Sequence, residues 1–262
     1  MNLTPRNIGI LSLSIAIKSH SNGVYNAVLV ILPHNIEIYI FRYGSFSQIQ
    51  PYLSNALSST AYQRDKTRVL VIGCGNSDFS HELYLHSQPH IINIDFSPIV
   101  IEEMKRKAPH LTWEVMDMTK LAYANSSFDV VVDKGSLDAL LSTHSKESSQ
   151  DSNHMFNHIS RVLDTSGCYI CISLAQDYIL HTLLSYFNQH SNFTIEVYRL
   201  DALQSNPLVP FIFLITKTVL ESPREKIRLY FDTLGNKIST PQVVTVEEAK
   251  HVVGLEVSLL RT

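Results

Sequence analysis

The stretch VLVIGCGNS, residues 69–77, decides the fold of this chain. Four apolar residues lead directly into two glycines that are one residue apart, and a helix is expected from about Asp78. A buried strand that enters a tight glycine turn before a helix is typical of an α/β sheet, in which the glycines let a cofactor approach the backbone. The stretch therefore predicts both a fold and a binding loop at Gly73 and Gly75.

From residue 68 onward, short β-branched runs alternate with segments of helical period, which is typical of βαβ units around a parallel sheet. We predict an α/β, Rossmann-like fold whose seven-stranded, mainly parallel sheet carries helices on both faces. The predicted strands are Arg68 to Ile72, Ile91 to Ile94, Leu111 to Val115, Phe128 to Val132, Cys168 to Ser173, Thr194 to Arg199 and Phe211 to Thr216.

Helix signals and a polar stretch lie between these strands. Ser97 and Pro98 predict the start of a helix after the second strand, and Thr245 with Glu248 predicts a capping box ahead of a C-terminal helix. The polar stretch from Ser142 to Asn153 is interpreted as a mobile surface connection.

Three parts are predicted along the chain: an atypical N-terminal segment (residues 1–40), a cofactor-binding domain (41–218) and a C-terminal extension with a helix (219–262). The apolar run from Ile8 to Ile17 imitates a secretory signal, but no small-x-small cleavage site follows it. No stretch reaches about 18 consecutive apolar residues. We therefore expect neither a signal peptide nor a membrane span.

The composition limits the partners and the compartment. The 262 residues are 45% hydrophobic, and the net charge of -3 leaves no long positive stripe for nucleic acid. Cys74, Cys168 and Cys171 would leave one thiol over in any disulfide pairing, which indicates a reducing compartment. We expect a cytoplasmic protein that binds neither nucleic acid nor a membrane stably.

The second strand indicates which cofactor the glycine loop takes. Asp95 follows Gly75 by twenty residues, where its carboxylate can accept hydrogen bonds from both ribose hydroxyls of an adenosine cofactor. The third position of the G-x-G-x-x-G fingerprint is Asp78, which would repel the pyrophosphate of NAD but not S-adenosyl-L-methionine, which has no phosphate. The predicted cofactor residues of these two segments are Gly73, Gly75, Asn76, Ser77, Asp95 and Phe96.

The next two strands end in polar groups at the same predicted edge. Asp117 can meet the adenine amino group while Met118 covers the ring. Asp133 and Lys134 end the fourth strand, where α/β ligands bind, and Asp133 is the predicted catalytic residue at the reaction centre.

A metal site, a nicotinamide oxidoreductase and a non-catalytic binding module are the alternatives to an enzyme that uses S-adenosyl-L-methionine. His81, Glu82 and His86 have the wrong spacing for an H-E-x-x-H zinc motif, and Cys168-x-x-Cys171 lacks a second pair, so no metal is expected. A nicotinamide oxidoreductase is disfavoured by Asp78. A non-catalytic binding module with the same fold stays open.

Four strings carry a resemblance to a known family: VLVIGCGNSDFSHELY (69–84), INIDFSPIVIEEMK (92–105), MDMTKLAYANSSFDVVVDKGSLDALL (116–141) and CYICISLAQ (168–176). They resemble the methyltransferase-like protein 13 family. The resemblance runs from about Tyr43 to the C-terminus. It implies a class I methyltransferase corresponding to the family's N-terminal half, which methylates a lysine of translation elongation factor 1-alpha.

The resemblance also implies roles for residues, and it fails at the front of the chain. It implies that Gly73, Gly75 and Ser77 form the cofactor loop, that Asp95 holds the ribose, that Asp117 and Met118 lie near adenine, and that Asp133 and Lys134 lie beside the methyl group. The family's aromatic segment Phe-Glu-Trp-Tyr-Gly is replaced by residues 40–46, IFRYGSF, where Arg42 takes the tryptophan position. Residues 1–40 resemble nothing in the family.

Overall fold

A computed structural model of the chain describes residues 11–18, 24–32, 35–40, 43–57, 67–190, 192–200, 209–219, 227–231 and 237–259. They divide into two units, Met1–Arg42 and Tyr43–Thr262. No helix among these residues is long and apolar enough to cross a membrane.

The first unit contains strands β1 (Leu11–Lys18), β2 (Val24–Leu32) and β3 (Asn35–Ile40). They pair antiparallel in the order β1-β2-β3, and in the described ranges this sheet has three strands. Part of the apolar run that imitates a secretory signal is therefore strand β1. The sequence analysis predicted no strand here.

The second unit is built on a sheet of nine strands in the part of the chain that is described, ordered β12-β11-β9-β10-β8-β7-β4-β5-β6. Strands β4 to β8 pair in parallel, whereas β10 pairs antiparallel with both of its neighbours. The strands are β4 (Arg68–Ile72), β5 (His90–Asp95), β6 (Thr112–Val115), β7 (Phe128–Lys134), β8 (Leu163–Ser173), β9 (Phe193–Arg199), β10 (Phe211–Lys217), β11 (Ile227–Phe231) and β12 (Lys237–Val244).

The seven predicted strands are all present, but the predicted number was wrong because β11 and β12 extend the same sheet. Strand β11 alternates buried and half-buried residues over only five positions, which is a weak signal. Strand β12 contains Pro241, which is tolerated because this strand lies at the edge of the sheet. The predicted division at residues 40 and 218 stays a prediction.

The helix contacts of this unit fall into two groups, as expected for a sheet covered on both faces. Helices α1 and α2 contact each other, and α2 and α3 contact β5, while α4 to α7 contact one another and β7, β8, β9 and β11. The helices are α1 (Phe46–Leu57), α2 (Phe79–Ser87), α3 (Pro98–Lys107), α4 (Ser136–Leu141), α5 (Lys146–Val162), α6 (Asp177–Gln189) and α7 (Val246–Leu259).

Two of the predicted helix starts are confirmed. The Ser97 hydroxyl accepts a hydrogen bond from the Val100 amide, and Pro98 is the first residue of α3. The Thr245 hydroxyl accepts from the Glu248 amide at 3.2 Å, while the Glu248 carboxylate accepts from the Thr245 amide at 2.8 Å. The second pair is a reciprocal capping box.

The predicted surface connection from Ser142 to Asn153 was wrong, because helix α5 begins at Lys146. Ser145 caps the helix by accepting from the Ser148 amide at 3.1 Å. Ser148 and Ser152 are buried on the same face as Met155 and Phe156. Since serines occupy the core-facing positions of the first turns, the polar composition conceals the helical period.

Candidate functional site

The strand register brings the predicted site residues to one edge of the sheet. Ile72, the last residue of β4, is paired with Ile94 of β5 on one side and with Asp133 of β7 on the other. Asp95 in turn pairs with Val115, two residues before Asp117. Since β4 is the strand at which the chain changes direction across the sheet, this edge is where open α/β sheets bind their ligands.

The glycine turn after β4 has a backbone that favours glycine at both predicted positions. Gly73 and Gly75 each have a φ of +53°. A Cβ added at Gly73 would lie 2.8 Å from Cβ of Ser136 and would also collide with its hydroxyl. That hydroxyl donates to the Ile72 carbonyl at 3.0 Å and to the Gly73 carbonyl at 3.2 Å. The turn is therefore fixed against the first residue of α4.

Asp95 ties the glycine turn to the next helix. Its carboxylate accepts from the Gly75 amide at 3.0 Å and from the Ser97 amide at 2.9 Å, one bond to each oxygen. Each oxygen keeps a further acceptor site, so the carboxylate can still receive the two hydroxyls of a ribose.

In the part of the chain that the structure describes, the surroundings of the glycine turn offer open space and an unpaired hydrogen-bond donor to a bound ligand. A Cβ added at Gly75 would meet nothing within 4 Å, so open space lies beside this glycine. The side-chain Nδ2 of Asn76 is buried and has no hydrogen-bond partner among the residues that the structure describes. A buried donor without a partner is costly unless a ligand supplies an acceptor. These residues fit S-adenosylmethionine, whose amino-acid portion carries a carboxylate.

The two remaining loop residues mark the start of helix α2. The Ser77 hydroxyl accepts from the Phe79 amide at 3.2 Å. Asp78 precedes the helix without capping it, and its carboxylate forms an ion pair with Lys107 at 2.6 Å. A carboxylate at this helix start disfavours a pyrophosphate, in agreement with the choice of cofactor.

An exposed apolar surface continues this edge beyond Asp95. Phe96 is 80% exposed, and Ile99 and Val115 are also exposed. Met118 is half-buried, and its sulfur lies 3.9 Å from the position that a Cβ of Gly73 would occupy. Exposed large apolar groups beside a polar loop are typical of a ligand site, and apolar side chains can cover an adenine ring.

Asp117 is an exposed carboxylate at the same edge. Its Oδ1 accepts from the Thr119 amide at 2.8 Å and from the Thr119 hydroxyl at 2.7 Å. Burial works to raise the pKa of Asp117, but these hydrogen bonds and the charge of Lys120 outweigh it and lower the pKa. Asp117 is therefore ionised at neutral pH and can accept from an amino group.

Asp133 lies at the predicted edge, but its side chain is completely buried. Its oxygens accept from the Ser136 amide at 2.7 Å, from the Leu137 amide at 3.1 Å and from the Tyr169 hydroxyl at 3.0 Å. Burial raises the pKa of Asp133 to about 6 against the effect of these bonds. The geometry is that of a carboxylate which holds the turn between β7 and α4.

Lys134 and Tyr43 pack on this turn. Gly135 has a φ of +83°, and a Cβ added to it would lie 2.5 Å from Cε2 of the buried Tyr43 ring. The Lys134 ammonium lies 5.8 Å from the centroid of the same ring. Burial lowers the pKa of Lys134, whereas the charges of Asp133 and Glu82 work to raise it.

Asp138, in the first turn of α4, is a second buried carboxylate. Its Oδ1 accepts from the Leu174 amide at 2.9 Å, but its buried Oδ2 has no hydrogen-bond partner within the described part of the chain. Burial raises the pKa of Asp138 to about 7, opposed by the Leu174 amide and the Ser173 side chain and helped by the charge of Asp133. A perturbed carboxylate with a free oxygen is typical of functional sites.

This raised pKa predicts a pH-dependent stability. Between about pH 4 and pH 7, Asp138 is ionised in the unfolded chain but still protonated in the folded one, so the free energy of unfolding falls as the pH rises. Asp138→Asn removes this titration. From pH 5 to pH 8 we expect the variant to lose about 2 kcal/mol less stability than the wild type.

The measurement is denaturant unfolding of both proteins at the two pH values. Asp177→Asn is the matched control, because Asp177 is exposed at the start of α6. Parallel pH profiles for wild type and Asp138→Asn would contradict the prediction. The titratable groups that face Asp138 are Tyr43, Asp133 and Cys171, and they are unchanged in the variant.

The structure brings together the predicted residues, although their roles stay predictions. Gly73, Gly75, Asp95 and Met118 surround the open side of the turn. Asp133 lies on the same edge but faces the interior. Sequence reasoning missed Asp138, which lies in the quoted string at 116–141 and differs from Asp133 only in its surroundings, and it missed Tyr43 as the side chain that covers Gly135.

Comparison with known proteins identifies a methyltransferase domain in this chain. A family described as "Methyltransferase domain" matches residues 63–204, more than half of the chain and most of the edge described above. A SAM-dependent methyltransferase structure from Methanosarcina mazei is 17% identical, with a TM-score of 0.48 over 65% of this chain and 98% of that chain.

Curated relatives are more similar in sequence. The eEF1A lysine and N-terminal methyltransferases of Mus musculus and Homo sapiens are 42% and 37% identical, over 49% and 60% of this chain. The EEF1A lysine methyltransferase 4 of Bos taurus is 37% identical over 51% of this chain and 53% of its own length. The alignments span only 19% and 24% of the first two relatives.

These matches confirm the resemblance that the four strings indicated, together with the predicted Rossmann-like fold class and S-adenosylmethionine as the cofactor. The oxidoreductase alternative is not favoured by them. The chain belongs to the methyltransferase domain family.

Proposed function

We propose that this chain is an S-adenosylmethionine-dependent protein-lysine N-methyltransferase that acts on translation elongation factor 1-alpha in the cytoplasm. The observation that carries the proposal is the similarity to the eEF1A lysine and N-terminal methyltransferases, at 37% identity over 168 residues in the human protein. The glycine turn that is tied to Asp95 supports it from the structure, because this is the geometry that an adenosine cofactor requires.

A lysine is favoured over the N-terminus of the substrate by a difference between the relatives. The names of the longer relatives include both lysine and N-terminal methylation, and this chain matches 24% of the human protein and 19% of the mouse protein. The name of the bovine EEF1A lysine methyltransferase 4 covers lysine alone, and about half of that protein is matched. The shared part therefore corresponds best to lysine methylation.

Methyl transfer to a lysine is an in-line displacement in which the amine nitrogen bonds to the methyl carbon while the carbon–sulfur bond breaks and its electron pair stays on sulfur. The bound cofactor supplies the methyl group on a sulfonium. The protein contributes mainly by holding amine and donor in line in a dry pocket. No nucleophilic side chain is required, and a lysine of pKa about 10.4 must lose its proton first.

We assign the residues of the edge accordingly. Gly73, Gly75, Asn76 and Ser77 form the cofactor loop, Asp95 holds the ribose, and Phe96, Asp117 and Met118 surround the adenine. Lys134 lies beside the reacting groups. Asp133, which the sequence analysis placed at the reaction centre, holds the turn through the Ser136 and Leu137 amides instead of touching the amine.

The proposal is tested in two steps with the full chain. Calorimetric titration with S-adenosylmethionine should show saturable one-to-one binding. Incubation with elongation factor 1-alpha and labelled cofactor, followed by mass spectrometry of its peptides, should then place the methyl group on a lysine. Cofactor binding without methylation would favour the non-catalytic binding module. A methyl group found only at the N-terminus would contradict the lysine assignment.

A further inference from the structure

We propose that the Asp138 carboxylate and the Tyr43 ring form the binding site for the ammonium group of the incoming lysine side chain. The identity of the protein that carries this lysine rests on the proposed function. The recognition of a primary ammonium group is argued from the structure alone. The two can fail separately, and the experiment below distinguishes them.

The first observation is an unused acceptor. Asp138 is 9% exposed, and its Oδ2 is buried with no hydrogen-bond partner among the described residues. The Leu174 amide binds Oδ1, and the Ser173 side chain also lies close enough to the carboxyl to work against its raised pKa. The two oxygens of Asp133, by contrast, are both bound by protein donors. A buried, unpaired carboxylate oxygen costs stability, and such a cost is typical of a site that a ligand completes.

The second observation is the place of this oxygen in the fold. Ser136, two residues before Asp138 on α4, donates its hydroxyl to the Gly73 carbonyl at 3.2 Å. The Asp138 carboxylate is bound by the loop after β8, through the Leu174 amide. Asp138 therefore lies where β7 and β8 end, at the same edge of the sheet as the glycine turn, and open α/β sheets bind their ligands at this edge.

The third observation concerns charge. Two carboxylates, Asp133 and Asp138, are buried in this region. Burial lowers the pKa of the nearby Lys134, and the charges that work against this are those of Asp133 and Glu82. No salt bridge to Asp138 is formed by any residue in the described ranges. When Asp138 is ionised, it therefore has no counterion among these residues, and a buried charge without one is costly. A cation bound at Oδ2 would supply that counterion.

Tyr43 makes the site suitable for an ammonium on an aliphatic chain. Its ring is buried over Gly135, and burial, helped by the charges of Asp138 and Asp133, raises the pKa of its hydroxyl. Aromatic rings attract ammonium groups and pack against methylene groups, and this ring already receives the Lys134 ammonium at 5.8 Å. An anion would be repelled by both carboxylates.

The test uses n-butylammonium as a probe for a lysine side chain, with n-butanol as the uncharged probe of the same length. Both are titrated into the full chain loaded with S-adenosylhomocysteine, and binding is followed by NMR. Asp138→Asn is compared with the wild type and with Asp177→Asn, which removes the same charge from an exposed position. Titration of each variant with S-adenosylhomocysteine confirms that the cofactor site is intact.

We expect n-butylammonium to bind the wild type and Asp177→Asn alike, to bind Asp138→Asn at least tenfold more weakly, and n-butanol to bind none of them comparably. Equal n-butylammonium binding by Asp138→Asn and the wild type, or no saturable binding by the wild type, would overturn the proposal. So would equal binding of the two probes.

Methylation of elongation factor 1-alpha separates the two proposals. If the wild type methylates a lysine and Asp138→Asn matches its kcat/KM, the ammonium site is refuted while the proposed function stands. If the wild type does not methylate this substrate but binds n-butylammonium through Asp138, the site stands and the named substrate is refuted. We expect Asp138→Asn to lose about 100-fold in kcat/KM, within the usual range for a group that positions or deprotonates a reactant.

Discussion

Replacement of Asp95 by alanine is expected to weaken S-adenosylmethionine binding about 100-fold or more. The carboxylate can accept two ribose hydroxyls, and each hydrogen bond to a charged group contributes about 1.5–3 kcal/mol. About 3 kcal/mol corresponds to roughly a hundredfold change in the dissociation constant. The substitution also releases the Gly75 and Ser97 amides, which now donate to Asp95, so the loop itself is loosened.

Calorimetric titration of the folded variant measures this effect. Asp117→Ala is the matched control, because it removes an exposed carboxylate from the same edge whose oxygen is bound chiefly by Thr119. We expect less than a tenfold loss there, since a single hydrogen bond at an exposed position is at stake. An Asp95→Ala protein that binds the cofactor as tightly as Asp117→Ala does would refute the ribose assignment.

Alanine at Gly73 and alanine at Gly75 are expected to have different consequences, although both glycines have the same φ of +53°. This left-handed conformation costs an L-residue about 1–2 kcal/mol in either case. Only Gly73→Ala also forces the new methyl group into Ser136, which adds about 1–3 kcal/mol of overpacking. We expect Gly73→Ala to lower the free energy of unfolding by about 3 kcal/mol and Gly75→Ala by about 1 kcal/mol.

For cofactor binding, Gly75→Ala is the more informative of the two variants. The methyl group of Gly75→Ala enters the open space beside the turn, so this variant should stay folded and yet bind S-adenosylmethionine at least tenfold more weakly. Denaturant unfolding and calorimetry on the same preparations separate the two effects. Unimpaired cofactor binding by Gly75→Ala would mean that this space is not the cofactor site, and equal stabilities of the two variants would remove the role of the Ser136 contact.

The elements that the sequence predicted correctly are those whose signal is local. Strand β4 is an apolar run that ends in glycines, and α3 carries its cap, its first-turn proline and its apolar face within about ten residues. The sequence also predicted, for the same reason, that Gly73, Gly75 and Asp95 lie together, since a strand that ends in a loop fixes where its last side chains lie. Their role in binding stays a prediction.

The elements that the sequence did not predict depend on contacts between distant segments. Helix α5 buries Ser148 and Ser152 against the core. The burial of a serine depends on the elements that pack on it, and the serine itself gives no sign of them. Strand β11 has five residues and gains its stability from pairing with β9 and β12. Neither the burial of the serines in the first turns of α5 nor the partners of β11 can be predicted from local periodicity.

Asp133 and Asp138 show that the environment of a site residue, too, could not be predicted from local sequence. Periodicity, turns and spacing are local properties, so the amino-acid sequence was enough to predict a mainly parallel sheet with a glycine loop, an acceptor after the second strand and acidic groups after the fourth. Burial and hydrogen bonding depend on which distant groups the fold brings into contact. For this reason the structure was needed to show that Asp133 is bound by Ser136, Leu137 and Tyr169 while Asp138 keeps a free oxygen.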